Sequence, residues 1–207
     1  MRNQKPFKLH EISDIDLHKT KKVYSKFEAC MEYLPEILDK LVECREKFKN
    51  DWTPARAQTE RRILSCMIFD QNGEGWRTGY RIVGADPEKE TPEHVYSRNK
   101  VSIYLLNRHR EKRWTVDELK RQVPILCTTI MADATINSRL STLSKKHKFT
   151  LEQLYKMEHY KMLGLKLEPR RGKTGKILTE NIMRSTRTEH IKSLVVNDPE
   201  LILEQFV

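Results

Sequence analysis

Five times along the chain a short oxygen-bearing side chain stands where a helix should begin, and this punctuation constrains the fold most. Thr53-Pro54 and Thr91-Pro92 each set a capping hydroxyl before a proline suited to the first helical position, where its missing N–H is not needed. Thr115 to Glu118 ("TVDE") and Thr150 to Gln153 ("TLEQ") have capping-box spacing, in which hydroxyl and acid or amide satisfy each other's free backbone N–H groups. Asp198-Pro199 opens a last short segment. Together with helical apolar spacing, these signals predict helices near 16–33, 35–49, 54–69, 92–111, 115–122, 126–131, 134–146, 150–163, 178–195 and 199–206. Residues 70–90 depart from the pattern. There Trp76, Thr78, Tyr80 and Ile82 alternate between glycines, which predicts a short strand or hairpin near 76–84. The expected fold class is mainly α.

At 207 residues the chain can bury a sizeable core, in one domain or two small ones. Phe27, Cys30, Met31 and Leu34, then Ile37, Leu38, Leu41, Val42 and Phe48, form an apolar helical stripe. Two readings stand: a pair of core-facing helices broken at Pro35, or a homodimer interface. No stretch approaches the ~18 apolar residues of a membrane span, and "MRNQKPFKLHEISD" has no apolar core of a secretory signal behind it. Four cysteines (Cys30, Cys44, Cys66, Cys127) form no C-x-x-C pair, so free thiols and a cytoplasmic location are expected.

Charge separates the chain into halves. Its net charge is +10, and between Lys100 and Lys192 there are 21 Lys/Arg against 9 Asp/Glu, while the remainder holds 18 against 20. A basic half beside a near-neutral one suits a polyanion-binding module joined to something else. The expected division is a helical domain over 1–112, with the candidate dimer stripe, and a basic helix-turn-helix DNA-binding domain over 113–207.

Within the basic half, "ADATINSRLSTLSKK" (residues 132–146) sharpens the expectation. Ile136, Leu140 and Leu143 make an inward stripe, while Ala134, Ser138, Ser141, Thr142 and Lys145 face the other way. Ser and Thr favour helix less than the Glu, Lys, Gln or Arg of an ordinary solvent-facing stripe. Short hydroxyl side chains do let a backbone approach base edges and phosphates, which long charged ones would prevent. No acid occurs from Thr135 through Leu151. Thr115 to Val123, the segment "ILCTTIM" after Pro124, and the helix opened by Asp133-Ala134 together have helix-turn-helix order. The predicted DNA-binding residues are Thr135, Asn137, Ser138, Arg139, Ser141, Thr142, Lys145, Lys146 and Lys148. A Ser/Thr-rich surface helix in a bundle is the plainer alternative.

"WTVDELKR" followed by "TINSRLSTLSKKHKFTLEQLYKM" resembles the small DNA-reading repeat in the tails of bacteriophage homing endonucleases. The matching positions are Thr115 to Leu119, then Thr135, Ile136, Arg139 and Leu140, then Phe149 to Gln153, within residues 114–157. The middle, "QVPILCTTIMADA", is longer than the tight turn usual in that family. The resemblance implies sequence-specific duplex DNA binding in a phage or mobile-element context.

Downstream, "PRRGKTGK" adds Arg170, Arg171, Lys173 and Lys176 without an acid. Its "GKT" is not a phosphate loop, because Leu167 stands where the motif needs its first glycine. A basic loop on DNA phosphates and a solvated linker both fit. Neither a catalytic centre nor a metal or cofactor motif emerges from the sequence. His94, Asn99, Asn107 and His109 have the residue types of an HNH nuclease but fall in a predicted helix, without the adjacent Asp-His or His-His pair. His10 and His18 flank Asp14 and Asp16 in a mixed-charge segment that reads as solvated. The expectation is a sequence-specific double-stranded DNA-binding protein, a transcriptional repressor. A homing-type endonuclease and an RNA-binding or assembly protein are the alternatives.

Overall fold

The computed structural model describes residues 21–70 and 76–169, so the predicted helices 178–195 and 199–206 and the basic loop 170–176 lie outside the described residues. The described residues form two compact units, each built from separate stretches: a helical unit from residues 21–70, 76 and 96–128, and a sheet-bearing unit from residues 77–95 and 129–169. The described residues are mostly helical, with one small four-stranded sheet. None of their helices is long and apolar enough to cross a membrane.

The helical unit holds α1 (Lys21–Lys47), a 3-10 turn (Lys49–Asp51), α2 (Pro54–Ser65), a π-helical turn (Cys66–Asp70), α3 (Arg98–Glu111) and α4 (Val116–Leu126). α1 packs on α3 and α4, and α2 packs on α3. The expected break at Pro35 does not occur. Pro35 removes one backbone hydrogen bond, at a typical cost of ~3 kcal/mol, yet Phe27, Met31, Leu34 and Leu38 are fully buried on one continuous face. That continuity of burial outweighs the lost bond. Of the stripe considered for dimerisation, Phe27, Met31, Leu34 and Leu38 thus enter this chain's own core, while Cys30, Ile37, Leu41, Val42 and Phe48 are half-buried and Tyr33 stands outside it, exposed.

Pro124 is likewise carried inside a helix. α4 runs on to Leu126, and the Thr128 hydroxyl donates to the Ile125 carbonyl (2.7 Å), satisfying one of the helix's terminal acceptors. At its other end the capping box forms as the spacing predicts. The Glu118 N–H donates to Thr115 Oγ1 (3.2 Å), and the Thr115 N–H donates to Glu118 Oε2 (2.9 Å). Thr115→Ala should therefore cost about 1 kcal/mol of stability, read as a lowered denaturation midpoint with unchanged slope.

The sheet-bearing unit contains β1 (Trp76–Ile82), β2 (Thr91–His94), β3 (Thr128–Ala132), α5 (Ala134–His147), α6 (Leu151–Tyr155), α7 (Glu158–Met162) and β4 (Leu167–Pro169). The sheet order is β2-β3-β1-β4, with β2 antiparallel to β3 and β4 antiparallel to β1. β1 answers the strand expected near 76–84.

Two predicted helices are replaced here. The segment 126–131 was expected as a short helix, yet Thr128–Ala132 is a strand buried along its whole length. Consecutive β-branched residues, Thr128, Thr129 and Ile130, suit a strand packed on both faces better than a helix. The chain from Thr115 to His147 is therefore helix–strand–helix, not three successive helices. Thr91-Pro92 also does not open a helix. It begins β2, an edge strand, the place in a sheet where proline is tolerated, and Pro92 pairs with Met131. The helix expected from residue 92 starts instead at Arg98, where the Ser97 hydroxyl accepts the Lys100 N–H (3.3 Å). The single helix predicted over 150–163 is split into α6 and α7 by Met157, which adopts a left-handed conformation (φ 58°).

Arg81 ties the sheet's connections together. Its guanidinium pairs with Glu168 directly across from it on β4 (3.3 Å) and with the nearly buried Glu90 (2.8 Å).

Candidate nucleic-acid interface

α5 is the element on which the predicted residues converge. Its N-cap is Asp133, whose Oδ1 accepts the Ile136 N–H (2.9 Å) and whose Oδ2 accepts the Asp86 N–H (3.1 Å). These bonds hold the Asp133 carboxyl below its ordinary pKa, so it is ionised at neutral pH. Ile136 and Leu140 are buried and Leu143 half-buried, which fixes the rotation of the helix. α7 packs against it from inside the unit.

At about 100° per residue, the face opposite that stripe carries Ser138 and Lys145 at its centre and Ser141 and Thr142 to either side, with Thr135, Lys146 and Arg139 following along one flank. All seven are exposed. The structure thus brings together most of the predicted set on one open surface. Lys148, also exposed, follows in a left-handed conformation (φ 46°), its N–H closing the helix on the Ser144 carbonyl (3.2 Å).

Asn137 is placed differently. It lies half-buried at the flank, and its side-chain amide donates to Thr91 Oγ1 (3.2 Å) at the start of β2. The contact braces helix against sheet edge. Arg170, Arg171, Lys173 and Lys176 lie outside the described residues.

Two features of this surface had weaker sequence signals. Asp86 and Asp133 lie together at the N-terminal end of α5, although 47 positions apart. His147 is exposed at the other end and stacks on the buried Phe149 (5.8 Å between ring centres), which continues to the buried His159 (5.9 Å). Only the Asp133-x-x-Ile136 spacing could have signalled the first, as an N-cap.

Of the residues weighed for an HNH centre, Asn99 and Asn107 are exposed on α3. In the helical unit, His109 is buried on α3. Its Nδ1 accepts the Trp114 N–H (3.2 Å), which leaves Nε2–H to donate to Asp39 of α1 (2.7 Å). Arg113 grips the same carboxylate through two nitrogens (2.9 and 2.6 Å). The Arg113 bonds, then His109, hold the Asp39 pKa down at about 2. His94 lies on β2 of the sheet-bearing unit. Among the described residues, no three His, Cys, Asp or Glu side chains are grouped so that they could hold a metal ion. None of the four cysteines is in a disulfide.

Comparison of the chain with protein-family models, with curated proteins and with solved structures finds no match.

Proposed function

We propose that this protein binds duplex DNA sequence-specifically through the outer face of α5 and acts as a transcriptional repressor of phage or mobile-element type. One observation carries the reading: the exposed face of a helix anchored by Ile136 and Leu140 is built from Ser138, Ser141 and Thr142 beside cations, with no acid from Thr135 through Leu151. Hydroxyls donate to and accept from base edges, while Arg139, Lys145, Lys146 and Lys148 neutralise phosphates. The resemblance of residues 114–157 to the DNA-reading tails of phage homing endonucleases supports the same partner.

The test is selection of duplex fragments from a randomised pool by the full chain, followed by sequencing. The expected result is one enriched motif whose binding single-stranded DNA and RNA fail to compete. Equal competition by single strands or by RNA, or no enrichment, would overturn the reading. Magnesium-dependent nicking of the enriched duplex would replace repression with cleavage.

A further inference from the structure

The two ends of α5 differ in charge. At its N-terminal end stand the carboxylates of Asp133 and Asp86, the latter paired with Lys89 (3.1 Å). At its C-terminal end stand Lys145, Lys146 and Lys148, and the nearest following acid, Glu152, is engaged by Lys156 (2.7 Å). A helix macrodipole contributes roughly half a unit charge at each end, positive at the N-terminus and negative at the C-terminus. The two carboxylates together with the single ammonium group of Lys89 leave one net negative charge, which outweighs the first, and the three ammonium groups outweigh the second. The field along α5 is thus the reverse of a bare helix. A polyanion is repelled from the end that a recognition helix ordinarily presents first and attracted to the other.

Lys148 gives an independent sign of the same polarity. Its φ of 46° is the left-handed region, where glycine or asparagine commonly closes a helix and a lysine is strained. A cation held there at the expense of backbone comfort suits a phosphate contact.

We propose that α5 docks on DNA by its C-terminal part, with the stretch from Ser138 to Lys148 along the duplex and the first turn, Ala134 to Asn137, held off the phosphates. This rests on the DNA-binding reading and adds its orientation. Asn137, committed to Thr91, is then a brace and not a base reader.

The experiment compares Thr135→Glu with Thr142→Glu in the full chain. The probe is a fluorescently labelled mixed-sequence duplex at low salt, because phosphate contacts are sequence-independent. Both positions are exposed and Glu suits a helix, so circular dichroism should show both variants folded. Expected is at least a ~10-fold loss for Thr142→Glu and less than about a twofold change for Thr135→Glu, since the new carboxylate meets phosphates in only one case. Equal losses would overturn the orientation while leaving DNA binding by α5 intact. Loss in Thr135→Glu alone would reverse the orientation, and no loss in either would remove α5 from the interface altogether. Lys148→Gly adds a second readout: a raised melting temperature, weaker binding and a salt dependence shallower by about one counterion. Unchanged affinity in that variant would overturn Lys148 as a phosphate contact.

Discussion

Ser138→Glu or Ser141→Glu should lower specific DNA binding at least ~10-fold, because a lost base contact is worth about 1–3 kcal/mol and the new carboxylate repels phosphates and base-edge acceptors alike. Both side chains are exposed on α5, opposite the buried Ile136 and Leu140, so neither change disturbs the core. Glu favours helix more than Ser does, and the melting temperature should hold or rise slightly. The comparison is titration of the selected duplex with each variant, alongside thermal melts of the free proteins. Wild-type affinity in both variants would place the DNA elsewhere. Weakened binding accompanied by early melting would point to a folding defect instead.

Glu93→Gln should stabilise the sheet-bearing unit by up to roughly 3 kcal/mol at pH 8 and by almost nothing near pH 4. Glu93 sits half-buried on β2 opposite Ile130, and burial pushes its pKa up to about 7 from an ordinary 4.5. Its folded form therefore prefers the neutral acid. The associated stability is fully present below about pH 4.5 and is lost as pH rises to about 7. Glutamine keeps the shape and cannot ionise, so the variant should lose this slope. Urea unfolding at a series of pH values is the measurement, and parallel curves for both proteins would refute the assignment. In the helical unit the sign is opposite. Asp39, held near 2 by Arg113 and His109, contributes stability present above its ordinary 3.8 and lost as pH falls to about 2. Acid should thus weaken the helical unit at a pH where Glu93 is already neutral.

Local signals proved readable wherever a side chain bonds to its own backbone neighbours. Thr53, Thr115 and Thr150 all cap helices as their spacing indicates, because such a bond needs nothing from the rest of the chain. The rotation of α5 was legible for a related reason: Ile136, Leu140 and Leu143 mark its inner face by period alone. Prolines misled in both directions. Pro35 and Pro124 remain inside helices because buried neighbours compensate for the lost bond, and Pro92 lies on a sheet edge, where proline is tolerated. Each outcome depends on a partner distant in sequence. The strand at Thr128–Ala132 shows the same limit, since a short apolar run buried on all sides carries no period to distinguish strand from helix. At the candidate interface, the outward face of α5 could be read, whereas the Asp86–Asp133 contact and the Asn137–Thr91 brace could not. Both are long-range pairings.

The order of the strands has a consequence for the growing chain. β1 and β2 are made early but do not pair with each other, since β3 lies between them in the finished sheet. As the protein leaves the ribosome, two strands with unsatisfied edges must wait for Thr128–Ala132, and β1 then waits further for Leu167–Pro169. The helical unit, by contrast, has received all its described helices by Leu126. Synthesis thus separates folding in time: local helical contacts close first, and the non-local sheet, with its larger loop-closure entropy, closes last. The interval between β1 and β3 is when the chain is most exposed to strand-edge association, and slowed translation across residues 82–128 would lengthen it.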